Sequence, residues 1–329
     1  MNILWPIKID GTGMAYGYSR AGANLAAALE VRGHSILTNP ADTILADVSI
    51  HFCPLDHFEP IPGVLSVLFT MFEAELLPES WISPIRQANL IVTPSRWCSN
   101  VFRRHSGGVT VVTVPLGVDP VEYYPSPRML GPGQPMQFLW VGSPNLRKGH
   151  DLLGPAWREA FFRENVRLYV KTSGQGGDIK EHFNGRMIVD TRAVDETEMI
   201  RLYRESHVLL NTSRGEGFGL IPLEYMATGG LLISPRHTGL ADFVDRSVAE
   251  LLPTCPRKIT YGREQYCQEI SIHDLALSMR KVYHEYDKFE AKRGNAARRA
   301  AKFTWDNSAK RLIEVVQKMM KNQIKKGRD

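Results

Sequence analysis

Two glutamates, Glu216 and Glu224, stand eight positions apart in the stretch NTSRGEGFGLIPLE (211–224), among the alternating glycines Gly215, Gly217 and Gly219. A short apolar run, His207–Leu210 (HVLL), precedes them and reads as a buried parallel strand. The glycines let the backbone turn tightly and come close to a ligand. Pro222 falls where a helix would begin, a place where its missing N–H costs nothing. A strand, a glycine turn and a helix N-terminus together cradle an anion, because first-turn amides and the helix dipole both favour negative charge. Carboxylates placed beside a phosphate need a different partner, and sugar hydroxyls are the natural one.

The longer string RGEGFGLIPLEYMATGG resembles the E-x7-E signature of retaining, nucleotide-sugar-dependent glycosyltransferases of the GT-B fold. The likeness is to the glycogen-synthase-like and mannosyltransferase-like group, glycosyltransferase family four. It implies an α/β chain of two Rossmann-like, doubly wound parallel-sheet domains facing across a cleft. It also implies roles. Glu216 would contact hydroxyls of the donor sugar, and Glu224 would accept hydrogen bonds from the ribose. Lys148, in GSPNLRKG (142–149), matches the family's phosphate-binding lysine and would stabilise the departing diphosphate with the amides of Gly217, Phe218, Gly219 and Leu220. The family's early clamp arginine is replaced by Ser143 or Pro144, so the clamp is expected to be rebuilt from Lys148, Arg147, Lys171 or backbone amides. Arg192 lies where relatives hold the nucleobase, and Thr238, expected to cap a helix, lies where a loop backbone touches the donor. Gly11, Gly13 and Gly17 sit in a first loop that in relatives faces the cleft, with an ordinary tight turn as the competing reading. Thr70 and Glu73 stand where many relatives carry a histidine; Glu73 either orients an acceptor hydroxyl or is a surface acid. No metal is expected, since this fold does not generally require one.

These residues need elements to hold them. Met1–Ile9, Ser35–Leu37, Asp47–Phe52, Gly63–Thr70, Asn89–Pro94 and Gly108–Pro115 read as strands of a first domain, residues 1–130. Pro120–Gln134, with four prolines and little apolar content, reads as the interdomain linker. A nucleotide-sugar domain over 131–304 takes strands at Met136–Val141, Val166–Thr172, Arg186–Asp190, His207–Leu210 and Gly230–Ser234. Pro253–Gln268 reads as an irregular insertion. Residues 305–329 give a closing helix with a basic tail, which in GT-B proteins crosses back to the first domain.

The 329 residues suffice for two cores, and 43% hydrophobic with 23% charged content is ordinary for a soluble chain. No apolar run approaches a membrane span, and the N-terminus lacks a signal-peptide pattern, so a cytoplasmic setting is expected. Cys53, Cys98, Cys255 and Cys267 show no metal or disulfide spacing. Residues 256–329 carry 18 Lys and Arg against 9 Asp and Glu, although the whole chain is only +5. That basic segment is either a solvated face or a point of peripheral contact with anionic surfaces, membrane or nucleic acid.

The resulting expectation is a hexosyltransferase-type enzyme moving sugar from UDP- or GDP-sugar to a saccharide or lipid-linked acceptor. Two rival readings remain: the same donor chemistry on modified DNA, and a non-catalytic nucleotide-sugar-binding protein. No stable protein partner is evident in the sequence. A dehydrogenase fits poorly, because no GxGxxG with an acid about 20 residues on is present.

Overall fold

The computed structural model describes residues 1–6, 16–128, 130–172, 179–182, 185–261 and 263–326. The chain forms two compact units, one of residues 1–117, 260–265 and 303–329, the other of 118–259 and 266–302.

The first unit is built on six parallel strands in the order β2-β1-β3-β4-β5-β6. These are β1 (Asn2–Leu4), β2 (Ser35–Leu37), β3 (Val48–Phe52), β4 (Ser66–Phe69), β5 (Leu90–Thr93) and β6 (Thr110–Thr113). Every residue of β3, β4 and β5 is buried, as expected for strands covered on both faces. Helix α1 (Tyr16–Val31) follows β1, the short α2 (Ile82–Ile85) precedes β5, and α3 (Arg96–Arg103) follows it. Ser95 caps α3 by accepting the Cys98 amide at 3.1 Å.

The second unit has a seven-stranded sheet ordered β13-β12-β11-β7-β8-β10-β9. Its strands are β7 (Met136–Val141), β8 (Val166–Lys171), β9 (Ile179–His182), β10 (Met187–Asp190), β11 (Val208–Leu210), β12 (Leu231–Pro235) and β13 (Ala249–Leu252). All run parallel except the edge strand β9, which pairs antiparallel to β10. Helices α4 (Leu153–Ala160), α5 (Glu196–Glu205), α6 (Leu220–Ala227), α7 (Ile272–Glu285) and α8 (Glu290–Ala300) flank it. Asp195 caps α5 through the Glu198 amide at 2.8 Å, which places an acid where the helix dipole favours one. Phe138, Trp140, Trp157 and Phe161 anchor the core between sheet and helices. Helix α9 (Trp305–Lys326) packs along α1 in the first unit, where Arg32 pairs with Asp306 at 2.8 Å.

Two sequence expectations change. The stretch expected as an insertion forms a two-stranded hairpin, β14 (Thr254–Tyr261) and β15 (Arg263–Ile270). Pro256 lies within β14, where each strand of a two-stranded ribbon is an edge and tolerates a missing donor. Residues 120–128 of the expected linker are packed into the second unit. There the Tyr123 hydroxyl donates to Glu196 at 2.7 Å, and buried Arg128 donates to the carbonyls of Ser206 (2.7 Å), Tyr203 (2.8 Å) and Thr228. Part of the basic segment lies in local ion pairs. Lys281 and Lys292 meet Glu250, Arg299 meets Asp245, and Lys288 meets Glu285. Among the described residues no helix is long and apolar enough to cross a membrane.

Arg128 is the buried cation that ties the 120–128 segment to the second unit. Without it the Ser206 and Thr228 carbonyls would keep only the Tyr225 hydroxyl and the Ser126 amide, and the Tyr203 carbonyl would lose its side-chain donor. Arg128→Met is expected to cost about 2–3 kcal/mol of unfolding free energy in urea titration. A loss below about 1 kcal/mol would show that water replaces the guanidinium there.

Candidate functional site

The site grows from two neighbouring strands. β7 and β11 pair in parallel, Val208 opposite Phe138 and Leu209 opposite Leu139, so their C-terminal loops emerge side by side. After β7, Asn145 accepts the Lys148 amide at 3.0 Å and winds a single 3-10 turn, Leu146–Lys148, which presents Arg147 and Lys148. Gly149 ends that turn at φ 68°, and a β-carbon there would lie 2.2 Å from the Thr212 carbonyl oxygen. Only glycine meets both conditions.

The loop after β11 is stitched to that turn from below. The Thr212 hydroxyl accepts the Trp140 indole N–H at 2.9 Å and lies 2.9 and 3.1 Å from the Lys148 and Gly149 carbonyls. The Arg214 amide donates to the Arg147 carbonyl at 2.7 Å. Above, Glu216 meets Lys148 Nζ at 2.5 Å and Arg147 at 3.6 Å, and Arg147 donates to the Gly215 carbonyl at 2.9 Å. Burial pushes the Glu216 carboxyl up, but Lys148 and Arg147 outweigh it and hold it below its ordinary value. Glu216 is therefore an ionised acid at neutral pH. A small recess beside the pair, about 10 Å³ and roughly one water in size, is lined by Trp140, Lys148, Asn211, Glu216, Ile221 and Pro222.

A third segment, after β12, fixes the glutamate's backbone. Thr238 Oγ1 accepts the Glu216 amide at 3.0 Å, and the Gly239 amide donates to the Glu216 carbonyl at 2.9 Å. His237 Nε2 lies 3.1 Å from the Ser213 carbonyl and Nδ1 3.1 Å from Thr238 Oγ1. The carbonyl can only accept, so Nε2 carries the proton and Nδ1 takes the threonine hydroxyl hydrogen. Burial lowers His237 to about 4, consistent with a neutral ring. Thr238 is the only described non-glycine residue at positive φ, 46°, an unfavourable setting for a β-branched side chain. Thr238 is not a cap: His237 occupies the position before the 3-10 turn Thr238–Asp242, and the threonine hydroxyl is engaged with Glu216.

The remaining sequence candidates divide. Gly219, at φ 103°, stands just before α6, with Leu220 its first residue. Phe218 is buried against Phe243, ring centroids 5.3 Å apart. Gly217 and Gly219 are buried. The helix starts two residues before Pro222, so Glu224 falls in its second turn, buried, accepting the Tyr203 hydroxyl at 3.0 Å. It does not line the recess beside Glu216. Lys171 and Arg192 belong to a separate cluster at the ends of β8 and β10. Lys171 is 5% exposed and donates to the carbonyls of Thr172 (3.2 Å), Asp190 (3.3 Å) and Arg192. Arg192 grips Asp190 with two prongs at 3.0 and 2.9 Å. Of the residues expected to rebuild a clamp, the structure gathers Arg147 and Lys148 at Glu216 and commits Lys171 to closing its own loop. Glu73 is half-buried in the first unit, where the Tyr18 hydroxyl donates to the Met71 carbonyl at 2.8 Å and burial together with the Glu73 charge raises the phenol's pKa. Gly13 lies outside the described residues. Sequence reasoning missed Thr212, Arg214 and His237, although all three flank the glycine motif within the chain or one strand on.

Comparison with known proteins follows this geometry. Residues 135–259, which hold the whole Lys148–Glu216 arrangement, match the family "Glycosyl transferases group 1". Mannosylfructose-phosphate synthase of Agrobacterium fabrum is 26% identical over 54% of this chain and 40% of its own length. The chain spans less than half the length of the curated relatives it matches. Sucrose-phosphate synthase of Thermosynechococcus elongatus superposes with a TM-score of 0.74 at 14% identity, covering 98% of this chain and 99% of that one. Anabaena HepE, in complex with UDP-glucose, gives 0.69 at 15% identity over 97% and 100%. The fold is GT-B, two α/β units, one on a parallel sheet and the other on a sheet parallel but for its edge strand.

The buried histidine sets a pH dependence. Its folded pKa of about 4 lies below the ordinary 6.5, so the unfolded chain binds the proton more tightly. The stabilisation is complete above pH 6.5 and is lost as pH falls from 6.5 to about 4, by about 3 kcal/mol for a shift of that size. His51 in the first unit, also lowered to about 4 by burial, adds a parallel loss. His237→Gln is expected to flatten the fall of the urea midpoint over this range, leaving the parts due to His51 and to His34, which is also lowered. An unchanged slope would mean that His237 is not held neutral.

Proposed function

We propose that this chain is a retaining glycosyltransferase that moves a sugar from a nucleoside-diphosphate sugar to a hydroxyl of a saccharide or lipid-linked acceptor, without a metal. The observation that carries the reading is the ionised Glu216 held between Arg147 and Lys148 at the ends of adjacent parallel strands, beside the start of α6. Departure of a nucleoside diphosphate builds negative charge on the leaving oxygen, which cations and fixed amides stabilise. Lys148 and Arg147 supply the cations. The Leu220 and Ile221 amides, in a first turn whose N–H groups have no partner within the helix, supply the dipoles. Glu216, its backbone fixed by Thr238 and Gly239, accepts hydrogen bonds from the donor sugar's hydroxyls and positions the anomeric carbon. On donor binding Lys148 turns from Glu216 to the diphosphate, and the glutamate is released to the sugar. Glu224, set by Tyr203, takes the ribose hydroxyls. Retention of configuration is supported by the E-x7-E resemblance. Uracil is the favoured base, since a protein of the same fold is in complex with UDP-glucose.

A thermal-shift series against UDP, GDP and ADP tests the donor site, because a ligand that prefers the folded state raises the melting temperature with ln(1 + [L]/Kd). UDP is expected to give the largest shift. Transfer from labelled donor is expected to survive a chelator and to fall on the order of 10²–10³-fold in Glu216→Gln, with the fold intact. NMR of the product gives the anomeric outcome. Undiminished transfer in Glu216→Gln, or no response to any nucleoside diphosphate, would overturn the reading.

A further inference from the structure

The arginine within the glycine motif itself, Arg214, has its side chain 3% exposed, and its guanidinium is consumed by other parts of the second unit. Nε lies 2.9 and 3.0 Å from the two Glu269 oxygens. The two terminal nitrogens reach Asp151 at 2.8 Å each, and one also donates to the Leu146 carbonyl. Its own amide donates to the Arg147 carbonyl at 2.7 Å, and its carbonyl accepts the Gln268 amide at 3.4 Å. Arg257 shares Glu269 from the neighbouring strand of the hairpin. One side chain thus joins the turn bearing Arg147 and Lys148, the residue Asp151 just beyond it, and the base of the β14–β15 hairpin. Facing two carboxylates, it adds no net positive charge for a phosphate to find. Asp151, drawn down by its hydrogen bonds to Arg214, stays ionised to match it.

We infer that Arg214 is a positioning residue: it anchors the Arg147–Lys148 turn from below, so that the two cations stand in register with Glu216, and it does not itself contact the donor. The hairpin, by supplying Glu269, becomes part of the foundation of the site. This rests on the donor reading given above. A lysine at 214 would keep the charge but cannot span Asp151, Glu269 and the Leu146 carbonyl together, because it lacks the planar fork.

A mutant cycle tests it. Arg214→Lys and Arg214→Met are each expected to lower kcat/KM on the order of 10²-fold, the loss typical of a misplaced group. In an R147A/K148A background, Arg214→Met is expected to cost nothing further, since the groups it acts through are gone. Losses that multiply would identify a direct contact and overturn the inference, as would wild-type kcat/KM in folded Arg214→Lys. A second readout needs no sugar chemistry. With lysines 13C-methylated, the Lys148 signal, assigned by its loss in Lys148→Arg, is expected to move toward the free-lysine position in Arg214→Met and Arg214→Lys. An unmoved signal in both folded variants would overturn the inference. If the wild type binds no nucleoside diphosphate, the donor reading fails on its own, and the Lys148 signal still decides whether Arg214 sets the turn.

Discussion

Everything at this site depends on the adjacency of β7 and β11. Two parallel neighbours end at the same level, so the loops that follow them must share one small volume. One loop brings cations and the other an acid. The resulting Lys148–Glu216 pair is buried enough for the attraction to be strong, yet it borders a water-sized recess. Burial alone would push the glutamate toward its neutral form, and the cations reverse that. Trp140, Thr212 and Gly149 form the floor beneath, where a single added carbon would collide with the Thr212 carbonyl. Charge placement, backbone conformation and packing all point to one arrangement, which is how a chain specifies a rigid site.

Much of this was readable from residue types. The glycines and acids of 215–224 announced a turn before a helix because few other sequences satisfy that backbone, and the apolar runs marked buried strands of both sheets. What remained hidden was set by distance along the chain. Arg214 meets Asp151 and Glu269 from 63 and 55 positions away, and no local pattern encodes either encounter. Lys171 looked like a phosphate ligand because it is a cation at a strand end, but the carbonyls of 172, 190 and 192 claim it. The hairpin was obscured by Pro256 and by dense charge. The 120–128 segment was obscured by its prolines, which stiffen a chain without saying whether it packs.

Ion pairing in this chain divides into two kinds. Pairs on exposed helix faces, such as Arg201 with Glu198 and Glu205, contribute little in water. The buried sets, Arg214 with its two acids and Lys171 with Asp190, have costly alternatives. Arg214, Lys171 or Asp190 left without a partner would be a bare charge in the interior, whereas Arg192, which also grips Asp190, is partly exposed. Both buried sets sit at C-terminal ends of parallel strands, where the loops would otherwise be least constrained.

Thr238 shows how tightly the arrangement is held. Its backbone sits in a region that its own branched side chain disfavours, at a cost of order 1–3 kcal/mol. A glycine would relieve the torsion but delete the hydroxyl that links His237 to the glutamate's amide, while valine would keep the shape and lose the same link. Relief of the torsion and loss of these two hydrogen bonds therefore oppose one another at this position, and a variant that gains the first gives up a well-aimed acid.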